Sequence, residues 1–289
     1  MHAMIRTMVS VMLPVAVAIC LAGVAFADDD EPTPLDRELF RVNGMRAGED
    51  TPYDKVEAEC QRLLKDYKQP EEHGRIYFTL VHVYVQSGAD QPEQLATCVQ
   101  WAKKATEFPL DPENQQLAYV YWGDALQMLA QKKRIGRSDE GWPAARREAV
   151  MPYLRGLKAL LKYDLPERPS EPDAVGSVLV DGPPNDPEVQ KLVREQKNRM
   201  EVLRQTRFQN DMIRYRDMQT GQIAGLYFKQ PFGDELDSLD ELETLAKDVL
   251  QDDKAVARLL AAVKAREQER AKKRTTSEPT TQPAPGGKK

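Results

Sequence analysis

AYVYWGDAL, which occupies residues 118–126, is the stretch that decides the fold. Its large side chains at Tyr119, Trp122 and Leu126 lie three and four positions apart, so they share one face of a helix. Gly123 stands among them, and a residue without a side chain lets a second helix approach closely. The stretch therefore predicts one helix of a tightly packed pair.

The same spacing of large and small residues occurs twice along the chain. The first-helix positions are Tyr77, Leu80, Val81, Tyr84 and Gly88 in one segment and Tyr119, Trp122, Gly123, Leu126 and Ala130 in the next. Each segment precedes a triplet at the spacing of a second helix; the triplets are Cys98, Ala102 and Ala105, and Ala149, Tyr153 and Gly156. Recurrence of this kind indicates a structural repeat.

This pattern resembles a degenerate tetratricopeptide repeat over residues 51–164, where 51–68 resemble the second helix of an incomplete repeat. The resemblance implies antiparallel helix pairs, stacked as a solenoid that offers a surface to a protein or peptide. The turns exceed those of the motif by about five residues after Tyr84 and about fourteen after Leu126. An unrelated helical bundle with the same periodicity is the alternative, and the C-terminal part resembles no family that we recognise.

The remaining pattern predicts further helices and no strand of useful length. The expected helix starts are Thr51-Pro52, Glu71, Pro92, Asp111-Pro112 and Pro143. Pro152 should kink or split the last of these helices. The predicted fold class is therefore all-α: an antiparallel helix-pair solenoid followed by a long helix and a C-terminal helical hairpin.

The C-terminal region has its own start and stop signals. A long helix should run from Asp186-Pro187 to about Thr220, with another turn or two over 223–228. In the final hairpin, Ser238 and Glu241 have the spacing of a capping box for the first helix, and Asp252 or Asp253 should cap the second.

Composition divides the chain into six parts. They are a signal peptide at 1–27, an acidic flexible lead-in at 28–50 with a short helical turn at 35–42, tetratricopeptide-like repeats at 51–164, a proline-rich linker at 165–187, a C-terminal helical region at 188–273 and a disordered tail at 274–289.

The N-terminus has the features of a secretory signal peptide. Arg6 precedes an apolar run over 9–27, which ends in the small-x-small site Ala25–Ala27 and then an acidic stop at Asp28. We therefore expect export to the periplasm or the exterior, with no membrane span after cleavage. An uncleaved membrane anchor is the alternative. Cys20 follows Ile19 rather than a small residue, which argues against a lipoprotein.

The charge of the chain bears on the class of partner, and its cysteines bear on whether a disulfide forms. The chain has 41 basic and 46 acidic residues, and removing Arg6 with the leader gives 40 − 46 = −6. This mild acidity gives no reason to expect nucleic acid as the partner. Export permits a disulfide between Cys60 and Cys98, but both lie at apolar positions of predicted helices, where buried free thiols are common.

No catalytic, cofactor-binding or metal-binding motif is present. Acidic residues are so abundant that their presence in pairs gives no information about glycoside hydrolysis, the reaction that uses two carboxylates. We expect His82 to be a packed core side chain and His73 to be solvated. An acidic group near residue 240 lacks the glycine and alternate spacing of a calcium loop, so we interpret it as a solvated helix face. Its members are Asp237, Asp240, Glu241 and Glu243.

The long helix is the least ordinary feature, because residues 191–216 contain eight basic and only three acidic side chains. Helical geometry places four cations within an arc of about 100°. They are Lys197, Arg204, Arg207 and Arg214. Val193 and Met200 fall in the same arc, and apolar residues usually face a neighbouring helix. We therefore favour the interpretation that the cations pair with acids of neighbouring helices. The alternative is an exposed basic ridge that binds an acidic protein or an anionic envelope polymer.

The favoured function is an exported non-catalytic scaffold that binds a protein or peptide through a helical-repeat surface. One alternative is an envelope structural protein that associates through its long basic helix. A second is an enzyme with an unrecognised site.

Overall fold

The prediction of an all-α chain is confirmed by a computed structural model, which describes residues 32–45, 52–170, 187–229 and 235–277. In these ranges there is no strand, only an isolated bridge between Phe228 and Leu236. The described helices are α1 (Pro34–Gly44), α2 (Tyr53–Asp66), α3 (Pro70–Gln86), α4 (Pro92–Glu107), α5 (Pro112–Lys132), α6 (Trp142–Leu160), α7 (Pro187–Tyr227), α8 (Asp240–Leu250) and α9 (Asp253–Ser277). The predicted leader at 1–27, the Thr51 cap and residues 278–289 of the predicted tail lie outside the described residues.

The chain divides into two compact units, residues 1–41 and 42–289. In the first unit, the described residues begin α1 with a reciprocal cap. The Thr33 amide donates to Asp36 Oδ2 at 2.8 Å, and the Asp36 amide donates to Thr33 Oγ1 at 3.2 Å. These bonds satisfy amides that have no partner inside the helix. The predicted short helical turn at 35–42 is thus a helix of 11 residues.

In the second unit, the helices from α2 to α6 each pack against the helix that follows, so the series of contacts ends with α6 on α7. Additional contacts join α3 to α5 and α5 to α7, while α8 packs on α6 and α9 packs on α7 and α8. Neighbouring helices alternate in direction: Tyr53 at the start of α2 donates to the Ser87 carbonyl beyond the end of α3 at 3.2 Å. Likewise, Gly156 near the end of α6 faces Gln219, and Arg146 near its start lies over the ring of Tyr227.

Local chemistry explains where the helix pairs turn. After α3, Gly88 has φ +69°, and the amides of Gly88 and Ala89 donate to the carbonyls of Val85 and Tyr84, each at 3.1 Å. This is a Schellman ending, which needs the left-handed backbone that glycine adopts without strain. Asp111 caps α5 by accepting the Asn114 amide at 3.0 Å. Both turn signals were readable from sequence.

Two glycines of the repeat pattern, Gly123 and Gly156, lie where helices touch. A Cβ on Gly123 would lie 2.3 Å from Tyr153 Cζ, and one on Gly156 would lie 2.5 Å from Gln219 Nε2. Tyr77 and Tyr119 are half-buried, and Tyr77 stacks on Trp101 with ring centroids 5.5 Å apart. The signature side chains that are buried are Leu80, Val81, Tyr84, Cys98, Ala102, Ala105, Trp122, Leu126, Ala130, Ala149 and Tyr153.

Two expected breaks in helices are not found. Pro152 does not split α6, which continues from Trp142 to Leu160 with Pro152 buried. The long helix α7 does not end near Thr220 but continues to Tyr227 through two glycines. In both helices, packing against neighbours on several sides outweighs the local preference of a breaker residue.

The reciprocal capping box predicted for Ser238 and Glu241 is not formed, although Ser238 Oγ accepts the Asp240 amide at 3.4 Å. Helix α8 begins at Asp240 after Leu239, which makes no side-chain cap, and Glu241 binds arginines of α6 instead. The predicted cap of the last helix is confirmed, since Asp252 Oδ1 accepts the Ala255 amide at 2.9 Å.

The open question about the cysteines is answered by their packing. Cys60 and Cys98 are both free and buried. Burial raises the pKa of each thiol to about 12. Neither thiol is therefore a thiolate nucleophile at neutral pH.

Candidate partner-binding surface

Helix α7 has two halves with different surroundings. Residues 212–227, hereafter the packed half, are packed against α5, α6 and α9. None of residues 187–207, hereafter the exposed arm, is buried. Four large apolar side chains of the exposed arm are largely in solvent: Leu192 44%, Val193 50%, Met200 46% and Val202 61%. Val193 and Met200 lie on the same side of the arm, and large apolar side chains grouped on a surface commonly mark a binding site.

Five of the arm's residues form a line along one side, hereafter the stripe. A helix advances about 100° per residue, so they fall within an arc of about 80°. They are Val189, Val193, Gln196, Met200 and Leu203. On the same scale, the buried Met212, Gln219 and Ile223 lie about 120–160° away from the centre of the stripe. The stripe is therefore not a continuation of the face by which α7 packs into the fold.

Three of the four predicted partner-binding cations belong to this surface. Lys197, Arg204 and Arg207 are exposed on the arm, with Lys197 and Arg204 beside the stripe and Arg207 in line with it. Arg214 lies in the packed half instead. It is half-buried, 3.2 Å from Asp211 Oδ1, with its guanidinium 5.7 Å from the Tyr215 ring centroid. The expected pairing with acids thus describes Arg214, whose ion-pair partner Asp211 is on α7 itself. Arg214 also interacts with an acid of a neighbouring helix: burial raises the pKa of Glu113 on α5, and the charge of Arg214 opposes this rise.

The base of the exposed arm is held by the segment that follows α6. Arg216 donates to the carbonyls of Pro166 at 3.0 Å and Glu167 at 2.7 Å. Asn210 exchanges two hydrogen bonds with the Ser170 backbone, at 3.0 and 2.8 Å. Because this segment crosses α7 beside the arm, the direction in which the arm leaves the fold is fixed.

A cavity of about 620 Å³ lies between the end of α6, the packed half of α7 and α9. Its floor is apolar, formed by residues such as Leu157, Leu160 and Leu259. Charged side chains of both signs line the rim, and several already have structural roles. Arg216 holds the segment after α6, Asp252 caps α9, and Arg266 donates to the Asp217 carbonyl at 3.1 Å. Three of the rim charges are therefore already engaged in holding the fold together.

The acidic group near residue 240 is not the solvated face that we expected. Arg146 is 3.0 Å from Asp237 Oδ2 and 2.6 Å from Glu241 Oε2, and Arg147 reaches the other oxygen of Glu241. Asp240 is exposed, as expected. Arg146 lies on the apolar face of α6, and a cation at a core position predicts an acidic partner, which sequence reasoning overlooked.

A polar network joins α5 to α6 at the contact made by Gly123. Tyr153 donates to Asp124 Oδ1 at 2.6 Å, and Gln127 Nε2 donates to the Tyr153 hydroxyl at 2.6 Å. Burial raises the pKa of Asp124 to about 6, although the hydrogen bond from Tyr153 lowers it. This carboxyl can hold a proton near neutral pH, but its partners act as a structural clamp between two helices.

Both histidines in the described part of the chain, His73 and His82, are structural. His82 packs among aromatic rings, 6.1 Å from Phe78 and 6.2 Å from Tyr121, as predicted. The expectation that His73 is solvated was wrong. Its Nε2 is 2.8 Å from the Tyr67 carbonyl, and its ring meets Phe108 edge-on at 5.6 Å. The start of α3 folds against the preceding turn, which local sequence does not reveal.

Within the described ranges, no three His, Cys, Asp or Glu side chains are grouped as a metal-binding set. No described helix combines the length and apolar character needed to cross a membrane. Comparison of the chain with family models, curated proteins and solved structures found no match.

Proposed function

We propose that this chain is an exported, non-catalytic scaffold that binds a protein partner, and that the exposed arm of α7 is the binding element. The observation that carries the proposal is the stripe on the arm, where Val193 is 50% and Met200 46% exposed. Covering such side chains is favourable by about 25 cal/mol per Å² of apolar surface. A partner that covers the stripe therefore gains free energy that the isolated chain does not use.

The repeat pattern supports a binding role for the rest of the fold. Helices α3 and α4, and α5 and α6, are packed pairs, and Gly123 touches Tyr153 where the tetratricopeptide pattern needs a small residue. Contacts from α3 to α5 and from α5 to α7 are those expected between first helices of successive repeats. We therefore interpret residues 51–164 as tetratricopeptide-like and the packed half of α7 as the next layer.

The sequence of residues 1–27 supports export, because a basic start, an apolar run and a small-x-small site occur in that order. Export would place the exposed arm among envelope or extracellular proteins.

The experiment is affinity capture from envelope extract with the mature chain and matched variants. Val193→Glu with Met200→Glu should lose the captured partner, because the charges disrupt the stripe. Val202→Glu, on the opposite side of the arm, should retain it. Both variants should keep the melting temperature, since substitutions of exposed side chains rarely cost more than about 0.5 kcal/mol.

The variants that lose the captured partner show whether the exposed arm binds a partner protein or a second copy of the chain. If both variants capture the same proteins as the unmodified chain, the arm is not the binding element. A chain that sediments as a dimer, and becomes monomeric in the double variant, would instead indicate self-association through α7.

A further inference from the structure

We infer that the partner docks as a helix with an apolar seam and acidic flanks, lying lengthwise along the exposed arm. This inference rests on the proposed function and adds the chemistry of the partner. It draws on the length of the stripe, the hydrogen bonding of the arm and the placement of its charges.

The length of the stripe suits a helix. From Val189 to Leu203 the stripe covers 14 helical steps, or about 21 Å at 1.5 Å per residue. The arm is helical throughout, so its backbone groups bond within the helix and do not offer an edge to an extended strand. Recognition must therefore use side chains. The stripe's residues recur at every third or fourth position, with the polar Gln196 at the centre and two apolar side chains on either side of it, and this spacing matches that of another helix.

The charges of the arm select the sign of the partner. Residues 187–207 contain six basic and three acidic side chains, a net charge of 6 − 3 = +3. Lys197 and Arg204 lie about 60–80° to one side of the stripe, and Arg199 about 80° to the other. Among the three acids, Glu195 and Glu201 are farther round, at about 120°, and Glu188 lies about 100° away on the Arg199 side, near the start of the arm. Both borders of the stripe are therefore cationic, so acidic flanks on the partner are favoured.

The same charges disfavour two other occupants. A second copy of the arm would bring cations against cations at the borders of the stripe, which is destabilising. A polyanion without apolar groups would satisfy the cations but leave Val193 and Met200 in water. The chain's own residues 171–186 contain four acids and no base, so this segment is the competing candidate for binding the stripe. The test therefore includes a variant in which it is replaced.

The test uses a synthetic 28-residue heptad peptide with Leu at the a and d positions and Glu at e and g. The matched probes are the same peptide with Lys at e and g, and poly-L-glutamate. Binding to the mature chain is measured by fluorescence anisotropy. We expect binding of the Glu peptide only, and weakening with added salt because exposed charges are screened over about 8–10 Å at ordinary ionic strength.

Two sets of variants test the stripe and its borders separately. Val193→Glu with Met200→Glu should weaken the Glu peptide at least about tenfold, while Val202→Glu changes its affinity less than about twofold. Lys197→Glu with Arg204→Glu should reverse the preference, so that the Lys peptide binds better.

Other outcomes would overturn the inference. Equal binding of the Glu and Lys peptides would remove the role of charge, and equally tight binding of poly-L-glutamate would remove the role of the stripe. Binding that occurs only after residues 171–186 are replaced by Gly and Ser would assign the surface to the chain's own segment. If envelope capture depends on Met200 but the Glu peptide does not bind, the scaffold function stands and the partner class is wrong.

Discussion

Alanine substitution at two helical glycines should change stability in opposite directions. Alanine normally stabilises a helix interior by about 0.5–1 kcal/mol relative to glycine. At Gly225 nothing lies within 4 Å of a new Cβ, so Gly225→Ala should gain this amount. At Gly123 the new Cβ would lie 2.3 Å from Tyr153 Cζ. Tyr153 is fully buried and held by Asp124 and Gln127, each at 2.6 Å, so its ring cannot move aside.

Overpacking of this kind costs about 1–3 kcal/mol, and the collision at Gly123 should reach the upper part of that range. Urea unfolding of both variants measures the difference, with the slope unchanged if only stability is altered. In a chain of this size each kcal/mol shifts the melting temperature by about 2–4 °C. If Gly123→Ala is as stable as the unmodified chain, α5 and α6 do not meet at this glycine and the repeat interpretation fails with it.

Three further predictions follow from buried charges and from the N-terminus. Asp124→Asn should stabilise the chain at pH 7 by about 1–2 kcal/mol. Burial raises the pKa of Asp124 to about 6, so the stability that the protonated carboxyl provides below pH 4 is lost as the pH rises through 6. Asparagine stays uncharged and does not lose it. Urea unfolding at pH 4.5 and 7.5 should show that this loss is missing in the variant. Arg146→Met should destabilise by about 1.5–3 kcal/mol, because Asp237 and the half-buried Glu241 lose their charge-assisted hydrogen bonds to Arg146 while Glu241 keeps Arg147. Adding Glu241→Gln should recover part of the loss in the same assay. N-terminal sequencing of the exported protein should begin at Asp28, whereas a retained leader would indicate a membrane anchor.

Helix boundaries were predictable wherever one residue type sets the local backbone. Asp111 caps α5 and Gly88 ends α3, as their chemistry requires. Gly123 identified the closest contact of a helix pair because its neighbours at helical spacing are large. These features depend on residues within about one helical turn of each other, which is the range over which sequence patterns report structure.

Features that depend on distant partners were not predictable. Arg146 and Glu241 are 95 positions apart, so nothing local to either residue indicated that they pair. Continuation of α7 through Gly221 and Gly225 depends on its contacts with α6 and α9 rather than on helix propensity. The exposure of Met200 is of the same kind, since an apolar stripe shows that a helix has a buried face but not where its partner is.

Two apolar faces on one helix indicate two separate packing requirements. A helix that only completed the stack would need its buried residues from Met212 to Tyr227, and its extension would gain nothing from a stripe on another side. Nucleation of an isolated helix is unfavourable, so the exposed arm gains stability from the packed half that continues it. Arg216 and Asn210 fix the base of the arm to the segment after α6. A partner that binds the arm therefore meets an element already ordered in direction and conformation, which lowers the entropy cost of association.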